Sequence, residues 1–293
     1  MEGHMKRNSI RILTALLALS LLLSGCINPE QKEEETTVPD DVSQTDKSFI
    51  GSYQTMQYTY LTDVNPSVLT TDLSKNYLLL ANKTNQLGSS YVPPQLTTLT
   101  CATAYEMQLD MRAAQALYAM LAEMKAAGVS DVKVTSAYRS YEYQVSTYNS
   151  YVQKEMSYIS EDAKRVFGQS YIQENYLAKK IFKLTREDAE TVVQSYSALP
   201  GQSEHQTGLC VDFITSDMGG QLTEAFENTA AFAWLSQNAY KFGFILRYPK
   251  GKEDVTGYTY EPWHYRFVGR EAATDIFVGN ITLEQYLQLT SNQ

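Results

Sequence analysis

Apolar side chains recur every three or four residues across residues 105–127, which is the spacing of one buried face of an α-helix. The recurring positions are Ala113, Leu117, Met120, Leu121 and Met124. Gly128 follows at the position where a residue in the left-handed conformation commonly ends a helix. Residues 230–240 show a second helical pattern, which stops at Gly243. These patterns predict two amphipathic helices.

Short apolar runs bounded by polar or turn-forming residues are typical of buried strands. Such runs predict strands at residues 77–81, 132–135, 209–214, 244–247 and 263–268. The predicted strands alternate irregularly with the predicted helices along the chain. The part after residue 50 is therefore predicted to be one α+β unit.

Residues 151–200 differ in composition from the segments around them, with seven acidic and seven basic residues, one glycine and one proline. Helix-forming residues predominate, which predicts amphipathic helices inserted between two strands. The pattern leaves three roles open for this insertion: a lid, a wall that determines specificity, or a surface for a partner.

The first apolar run has the features of a secretory signal. Lys6, Arg7 and Arg11 precede an uncharged run over residues 12–23. A helix of this length rises about 18 Å, well short of the ~30 Å hydrocarbon core of a bilayer. Small residues follow it, so residues 1–25 are predicted to be a signal peptide.

The exit of this run reads Leu23-Ser24-Gly25-Cys26, which resembles a bacterial lipobox. The resemblance implies cleavage before Cys26 and lipidation of its thiol, and therefore an extracytoplasmic protein anchored to the cell membrane by lipid. The alternative is an ordinary signal peptide in which the cysteine is incidental.

Residues 27–50 contain seven acidic and two basic residues and few large apolar ones. Such a segment buries too little apolar surface to offset the entropy of ordering it. As a flexible coil it would span about 25–30 Å. We predict that residues 26–50 form a flexible acidic tether and that residues 51–293 form the folded domain. A recognition tail is the alternative interpretation.

Composition limits the classes of partner. Hydrophobic residues make up 43% of the chain and charged residues 19%, which excludes a fully disordered protein. The net charge is −9, of which −6 belongs to the residues after 50. Binding to nucleic acid phosphates needs a basic face, so nucleic acid is not the expected partner.

Two histidines are the candidates for metal chemistry in the folded part, since His4 precedes the signal. Neutral imidazoles and one carboxylate are suitable ligands for catalytic zinc, which keeps a fourth position open for water. Asp212 could face the same ion as His205 if the chain turns at Gly208 and continues as a strand. On spacing alone, both histidines could equally be packed or surface residues.

Four sequence strings resemble the VanY-type D-alanyl-D-alanine carboxypeptidases, and they occur in the order found in that family. They are Ser136-Ala137-Tyr138-Arg139-Ser140-Tyr141-Glu142-Tyr143-Gln144, Ser203-Glu204-His205-Gln206-Thr207-Gly208-Leu209, Gly243-Phe244-Ile245-Leu246-Arg247-Tyr248-Pro249-Lys250-Gly251-Lys252 and Glu261-Pro262-Trp263-His264-Tyr265-Arg266. The resemblance implies a hedgehog/DD-peptidase-like fold with a small antiparallel sheet and flanking helices. It also implies one Zn²⁺ per chain.

The resemblance further assigns roles to residues. His205, Asp212 and His264 are implied as zinc ligands, and Glu261 as the general base that activates a zinc-bound water. Four other residues match family positions that line the cleft, and these are Arg139, Gln144, Ser203 and Tyr248. Ser136 is also expected to contact substrate. We expect Arg139 to bind a carboxylate or a carbonyl, because its planar guanidinium suits bidentate recognition of oxygen. The sequence does not decide which of Arg139, Ser203 and Gln144 binds the terminal carboxylate and which of them binds the oxyanion.

The expected function is a zinc D,D-carboxypeptidase that removes the terminal D-Ala from peptidoglycan stem peptides. One alternative shares the chemistry but cleaves an L,D bond or an internal bond of the stem peptide. The alternative from another class is a lipoprotein that binds the cell wall without catalysis. We expect a monomer that contacts the membrane only through its lipid.

Cys210 departs from the resemblance, because a small residue such as alanine is usual at this position. If the strand continues to Asp212, the thiol lies on the same face, near the metal. Three interpretations stay open: a small buried thiol, a disulfide with Cys101, or a zinc ligand.

Overall fold

A computed structural model describes residues 47–70 and 76–291. The predicted signal peptide, the predicted lipidation site Cys26 and nearly all of the predicted tether lie outside the described residues. Within them, no helix has both the length and the apolar character needed to span a bilayer.

Two antiparallel sheets organise the fold. The smaller pairs β1 (Leu96–Thr98) with β2 (Gln108–Asp110). The larger has four strands in the order β3-β4-β6-β5. These strands are β3 (Lys133–Ser136), β4 (Cys210–Ile214), β5 (Phe244–Leu246) and β6 (His264–Phe267). The predicted α+β fold with a small antiparallel sheet is confirmed, and four of the predicted strands lie within two residues of their predicted bounds.

Helices surround the larger sheet and follow one another in chain order as α1 (Met111–Ala126), α2 (Tyr141–Glu155), α3 (Glu161–Phe167), α4 (Gln169–Ile172), α5 (Arg186–Val193), α6 (Ala230–Asn238), α7 (Glu253–Thr256), α8 (Arg270–Gly279) and α9 (Leu283–Thr290). Helix α1 begins later than predicted, because residues Gln108–Asp110 pair with β1. The Asp110 side chain then accepts hydrogen bonds from the backbone N–H groups of Arg112 and Ala113 and so caps the helix. Gly128 lies just beyond it with a φ of +84°, as predicted.

Alternation along the two central strands separates an apolar face from a polar face. Val211 and Phe213 of β4 and Tyr265 and Phe267 of β6 are buried in the main hydrophobic core. Helix α1 packs into the same core through its predicted apolar face. The intervening residues Cys210, Asp212, His264 and Arg266 are also buried but point to the opposite face. This second face carries the candidate chemistry.

Helices α2 to α5 form the insertion between β3 and β4, beginning ten residues earlier than the predicted bound of 151. They enclose a hydrophobic core of their own, formed by Tyr148, Val152, Ala163, Ile172, Tyr176, Leu184, Ala189, Val192 and Val193. The insertion is therefore a packed layer of helices rather than an extended loop.

The prediction of a strand at residues 77–81 is wrong. The segment has no strand assignment, although Tyr77 and Ala81 are buried as predicted. The Arg266 guanidinium donates hydrogen bonds to the carbonyl oxygens of Tyr77 at 2.9 Å and of Leu79 at 2.7 Å. These carbonyls are satisfied by a side chain, so Tyr77 and Ala81 stay buried without a neighbouring strand.

A buried cluster of charged residues holds this region together. Glu204 Oε1 accepts hydrogen bonds from Arg247 Nε at 2.7 Å and from Arg266 Nη1 at 2.6 Å. Arg247 also donates two hydrogen bonds to Glu284 of α9, at 2.9 and 2.6 Å. The side chains of Glu204, Arg247 and Arg266 have 0% exposure. Two carboxylates and two guanidiniums balance in charge, which makes their burial tolerable.

We expect Arg266→Met to lower the free energy of unfolding by about 3–5 kcal/mol, because it leaves buried acceptors without a donor. Arg165→Met is the control, since Arg165 pairs with Asp162 in an exposed position and should change stability by less than about 1 kcal/mol. Denaturant unfolding measures both values. Equal values for the two variants would contradict a structural role for the buried cluster.

Candidate active site

The register of the larger sheet brings Asp212 and His264 together. Asp212 on β4 lies directly opposite His264 on β6, and Ser136 on β3 pairs with Asp212 on its other side. Residues directly opposite each other on neighbouring strands have adjacent side chains on one face. Asp212 and His264 are both buried. Two of the three predicted zinc ligands are therefore neighbours because of strand pairing.

His205 reaches the same point from a short 3-10 helix, Glu204–Thr207. Gly208 ends this turn with a φ of +65°, and the chain then enters β4 as the sequence interpretation required. A Cβ atom at position 208 would lie 3.0 Å from Pro93 Cγ, so the close approach also favours glycine. The His205 carbonyl accepts a hydrogen bond from the Arg139 backbone N–H at 3.0 Å, which ties the turn to the end of β3.

Three donor groups converge at this point. His205 Nε2 lies 3.1 Å from Asp212 Oδ2, and His264 Nδ1 lies 2.9 Å from Asp212 Oδ1. The two imidazole rings are nearly perpendicular, at 84°, with centroids 5.1 Å apart. Asp212 Oδ1 is buried without a hydrogen-bond partner. Two imidazole nitrogens and an unsatisfied carboxylate oxygen directed at one point fit a Zn²⁺ ion.

Each histidine is oriented through its other nitrogen. His205 Nδ1 lies 2.7 Å from the Ala137 carbonyl oxygen. Because a carbonyl can only accept, Nδ1 carries the proton and Nε2 has the lone pair directed at the site. His264 has the opposite arrangement, with Nδ1 toward Asp212 and Nε2 located 3.5 Å from Glu204 Oε2. Neither His264 Nε2 nor Glu204 Oε2 has another hydrogen-bond partner.

Glu204 was not assigned a role from the sequence, although it is directly adjacent to His205. Burial favours a higher pKa for its carboxyl, but the guanidiniums of Arg247 and Arg266 outweigh burial and hold the pKa well below its usual range. Glu204 therefore presents a negative charge to the outer nitrogen of His264. The sequence did contain a signal for a buried acidic partner, because Arg247 and Arg266 lie in apolar predicted strands. Arginine is rarely buried unless it is paired.

Glu261 lies at the mouth of the site, in the turn that leads into β6. Its Oε2 atom is 3.7 Å from His264 Nδ1, and its backbone N–H donates a hydrogen bond to the Tyr248 carbonyl. Burial raises the pKa of the Glu261 carboxyl to about 7, because desolvation disfavours the charged form. Glu261 is farther than Asp212 from the imidazole nitrogens.

A cleft of about 400 Å³ opens onto these residues. Arg139, Gln144, Ser203 and Tyr248 all line it, which brings four predicted substrate-binding residues together. Trp263 lines the cleft as well and also packs against the main core.

Ser136 is located differently from the other four. It is buried beneath Arg139 and is not among the residues that line the cleft. Arg139 Nη2 donates to Ser136 Oγ at 3.1 Å, and Arg139 Nη1 donates to Gln144 Oε1 at 2.7 Å. Gln144 is itself held by the Ala198 carbonyl at 2.7 Å. Ser136 and Gln144 therefore both hold the guanidinium of Arg139.

Cys210 is a buried free thiol, and Cys101 is also free, so the disulfide considered from the sequence is not formed. The Cys210 sulfur and the ligand nitrogens of His205 and His264 all lie within 4.8 Å of one another. Burial raises the pKa of this thiol, but the two imidazoles outweigh burial and lower it to about 7. The Asp212 carboxylate oxygens lie 3.1 and 2.9 Å from the same two imidazoles, so a carboxylate and a thiol are both available beside the two histidines.

We expect Glu204→Gln to weaken zinc binding about 10–100-fold, because a carboxylate behind a ligating histidine orients the ring and strengthens its basicity. Competition with a chromogenic chelator measures the dissociation constant. Glu284→Gln is the matched control, since Glu284 binds the same Arg247 without contacting His264. An equal loss of zinc affinity in both variants would show that the effect comes from the cluster's stability alone.

A family profile for VanY, described as D-alanyl-D-alanine carboxypeptidase, matches residues 106–270. The protein YodJ of Bacillus subtilis (strain 168) is 32% identical over 295 residues, which cover 94% of this chain and 95% of YodJ. The LdcB LD-carboxypeptidase superposes with a TM-score of 0.55 and 32% identity, covering 78% of this chain and 98% of LdcB. A VanY D,D-pentapeptidase from a VanB-type resistance cassette, in complex with Zn(II), gives a TM-score of 0.54 and 32% identity, covering 72% and 98%. The chain belongs to the VanY family of D-alanyl-D-alanine carboxypeptidases.

Proposed function

We propose that the chain is a zinc-dependent D,D-carboxypeptidase that removes the terminal D-Ala from peptidoglycan stem peptides. The observation that carries this proposal is the convergence of His205, Asp212 and His264 beside Glu261, in a cleft that also presents Arg139. The similarity to a VanY D,D-pentapeptidase in complex with Zn(II) supports both the metal and the substrate class.

In this proposal His205 Nε2, His264 Nδ1 and an Asp212 carboxylate oxygen hold one Zn²⁺ per chain. When bound, zinc supplies a Lewis acid that polarises a carbonyl and lowers the pKa of water. Glu261 lies within reach of the same point and takes the proton from the attacking water. It then gives that proton to the amine of the departing D-Ala, which completes the proton balance of hydrolysis.

Arg139 is the residue best suited to bind the terminal carboxylate. Its guanidinium is held by Ser136 and Gln144, so little side-chain entropy is lost when a substrate binds. A carboxylate fixed at this cation favours cleavage next to the end of a peptide over cleavage of an internal bond. Ser203 and Tyr248 line the same cleft and are the remaining candidates for contact with the oxyanion.

The second candidate is an L,D-carboxypeptidase with the same metal chemistry. The LdcB LD-carboxypeptidase supports it, because its TM-score and identity equal or exceed those of the VanY neighbour. The two candidates differ in the stereochemistry of the residue before the scissile bond, and therefore in which stem peptide is shortened.

Purified protein loaded with zinc should convert a synthetic stem pentapeptide into the tetrapeptide and D-Ala, as measured by mass spectrometry. Metal analysis of the same sample should find one zinc per chain. Glu261→Gln should retain zinc but lose turnover by several orders of magnitude, because an amide cannot take the proton from the attacking water.

Shortening of the tetrapeptide to a tripeptide, with the pentapeptide left intact, would instead favour the L,D candidate. Cleavage within cross-linked peptide would favour the endopeptidase. Binding to wall fragments with no turnover of either peptide would favour a wall-binding lipoprotein without catalysis. Turnover by Glu261→Gln at the wild-type rate would contradict the assignment of the base.

We also propose that the protein is extracytoplasmic and monomeric, and is anchored to the membrane by lipid on Cys26, with residues 26–50 as the tether. The apolar run and the lipobox-like residues before Cys26 support this location. Cys26→Ser should prevent lipidation and release the protein from the membrane fraction, as followed by metabolic labelling with a fatty acid and by fractionation. Cys101→Ser is the control. Retention and labelling of the Cys26→Ser protein would contradict the anchor.

A further inference from the structure

The helical insertion builds the far wall of the candidate cleft. Its cleft-lining residues, on α2, on α3 and in the segments beside them, include Tyr151, Lys154, Tyr158, Asp162 and Tyr196. Arg139 and the candidate zinc ligands line the same cleft, and Arg139 contacts the insertion near the start of α2 through Gln144. A substrate whose terminal residue is bound at Arg139 therefore extends toward the insertion.

Contacts within the insertion make this wall preformed. Glu155 is buried and accepts a hydrogen bond from the Tyr196 hydroxyl at 3.1 Å, and Ser160 Oγ donates to the same carboxylate. The rings of Tyr151 and Tyr196 meet edge to face with centroids 5.8 Å apart. The wall also rests on the insertion's own hydrophobic core. Among the three roles left open by the sequence, these contacts favour a specificity wall.

Helix α2 sets the distance between the two ends of the cleft. Near its first turn, Gln144 binds Arg139. Lys154 follows Gln144 by ten residues on the same helix, which corresponds to about 15 Å along the axis. An extended chain advances about 3.3–3.6 Å per residue, so this separation corresponds to about four steps of an ordinary peptide, or to about three steps of a peptide in which one linkage is longer.

Lys154 is the exposed cation of the far wall. Among the described residues that line the cleft, the lysine and arginine side chains are Arg139 and Lys154. Lys154 forms no ion pair within residues 47–70 and 76–291. The nearby acids are already engaged, because Glu155 accepts from Ser160 and Tyr196, and Asp162 pairs with Arg165 at 2.6 Å.

We propose that Lys154 binds a second carboxylate of the peptide substrate, about three residues before the terminal one. This inference rests on the proposed function and names a feature of the substrate: an acidic residue upstream of the scissile bond. A γ-linked glutamate at that place suits the separation, because its two extra methylene groups lengthen the backbone. Arg139 and Lys154 thus bind two carboxylates at opposite ends of one peptide.

The experiment compares two synthetic pentapeptides that differ only in this glutamate, whose free carboxylate is replaced by a carboxamide in one of them. The kcat/KM of the wild-type protein should be about fivefold higher for the acid than for the amide, as expected for a partly exposed ion pair. Lys154→Met should abolish the preference by lowering only the value for the acid, and Lys154→Glu should reverse it. Lys179→Met is the control, since Lys179 is an exposed residue of the same insertion outside the cleft lining.

Dissociation constants measured on zinc-loaded Glu261→Gln, with and without Lys154→Met, test the same contact without turnover. A preference for the acid that survives Lys154→Met, or an equal loss for both peptides, would overturn the inference. If neither peptide is hydrolysed but binding shows the preference and its loss in Lys154→Met, the proposed function fails while the carboxylate contact stands.

Discussion

The arrangement of the site depends on the buried ion pairs that the Glu204 carboxylate forms with Arg247 and Arg266. This carboxylate is fully buried and shared by Arg247, which follows β5, and Arg266 on β6. A carboxylate without water around it is tolerable only where donors compensate for its lost hydration, so its position is tightly constrained. The second oxygen of Glu204 faces His264, so the fixed position of the carboxylate also restricts the orientation of this candidate zinc ligand. Arg266 extends this constraint to the carbonyls of Tyr77 and Leu79.

A second constraint is the alternation of side chains along β4 and β6. Both strands are buried on both faces, but one face packs into apolar residues while the other carries Cys210, Asp212, His264 and Arg266. A shift of the register by one residue would move the candidate ligands into the hydrophobic core. The apolar packing that stabilises the sheet therefore also maintains the alignment of Asp212 with His264.

The sequence pattern predicted helices and strands correctly where contacts between residues close in the chain decide the structure. The runs that became β3 to β6 are short, apolar and bounded by turn residues, and helix α1 follows its apolar spacing up to Gly128. Two predictions failed through contacts with distant residues. Residues 77–81 have the apolar pattern of a strand, but the Arg266 side chain donates hydrogen bonds to the carbonyls of Tyr77 and Leu79. Residues 105–110 were included in a helix, but Gln108–Asp110 pairs with β1.

By itself the sequence determined which chemical groups are available: two histidines and a glutamate in strings that mark the VanY family, and an aspartate seven residues after His205. The tertiary structure alone decided how they meet. Asp212 and His264 are 52 positions apart and become neighbours only through strand pairing. The contact of Glu204 with His264, the burial of Ser136 beneath Arg139, and the location of Lys154 in the cleft wall were likewise not evident from spacing. Spacing along the chain constrains only residues within one element, whereas these contacts join separate elements through the packing of the whole domain.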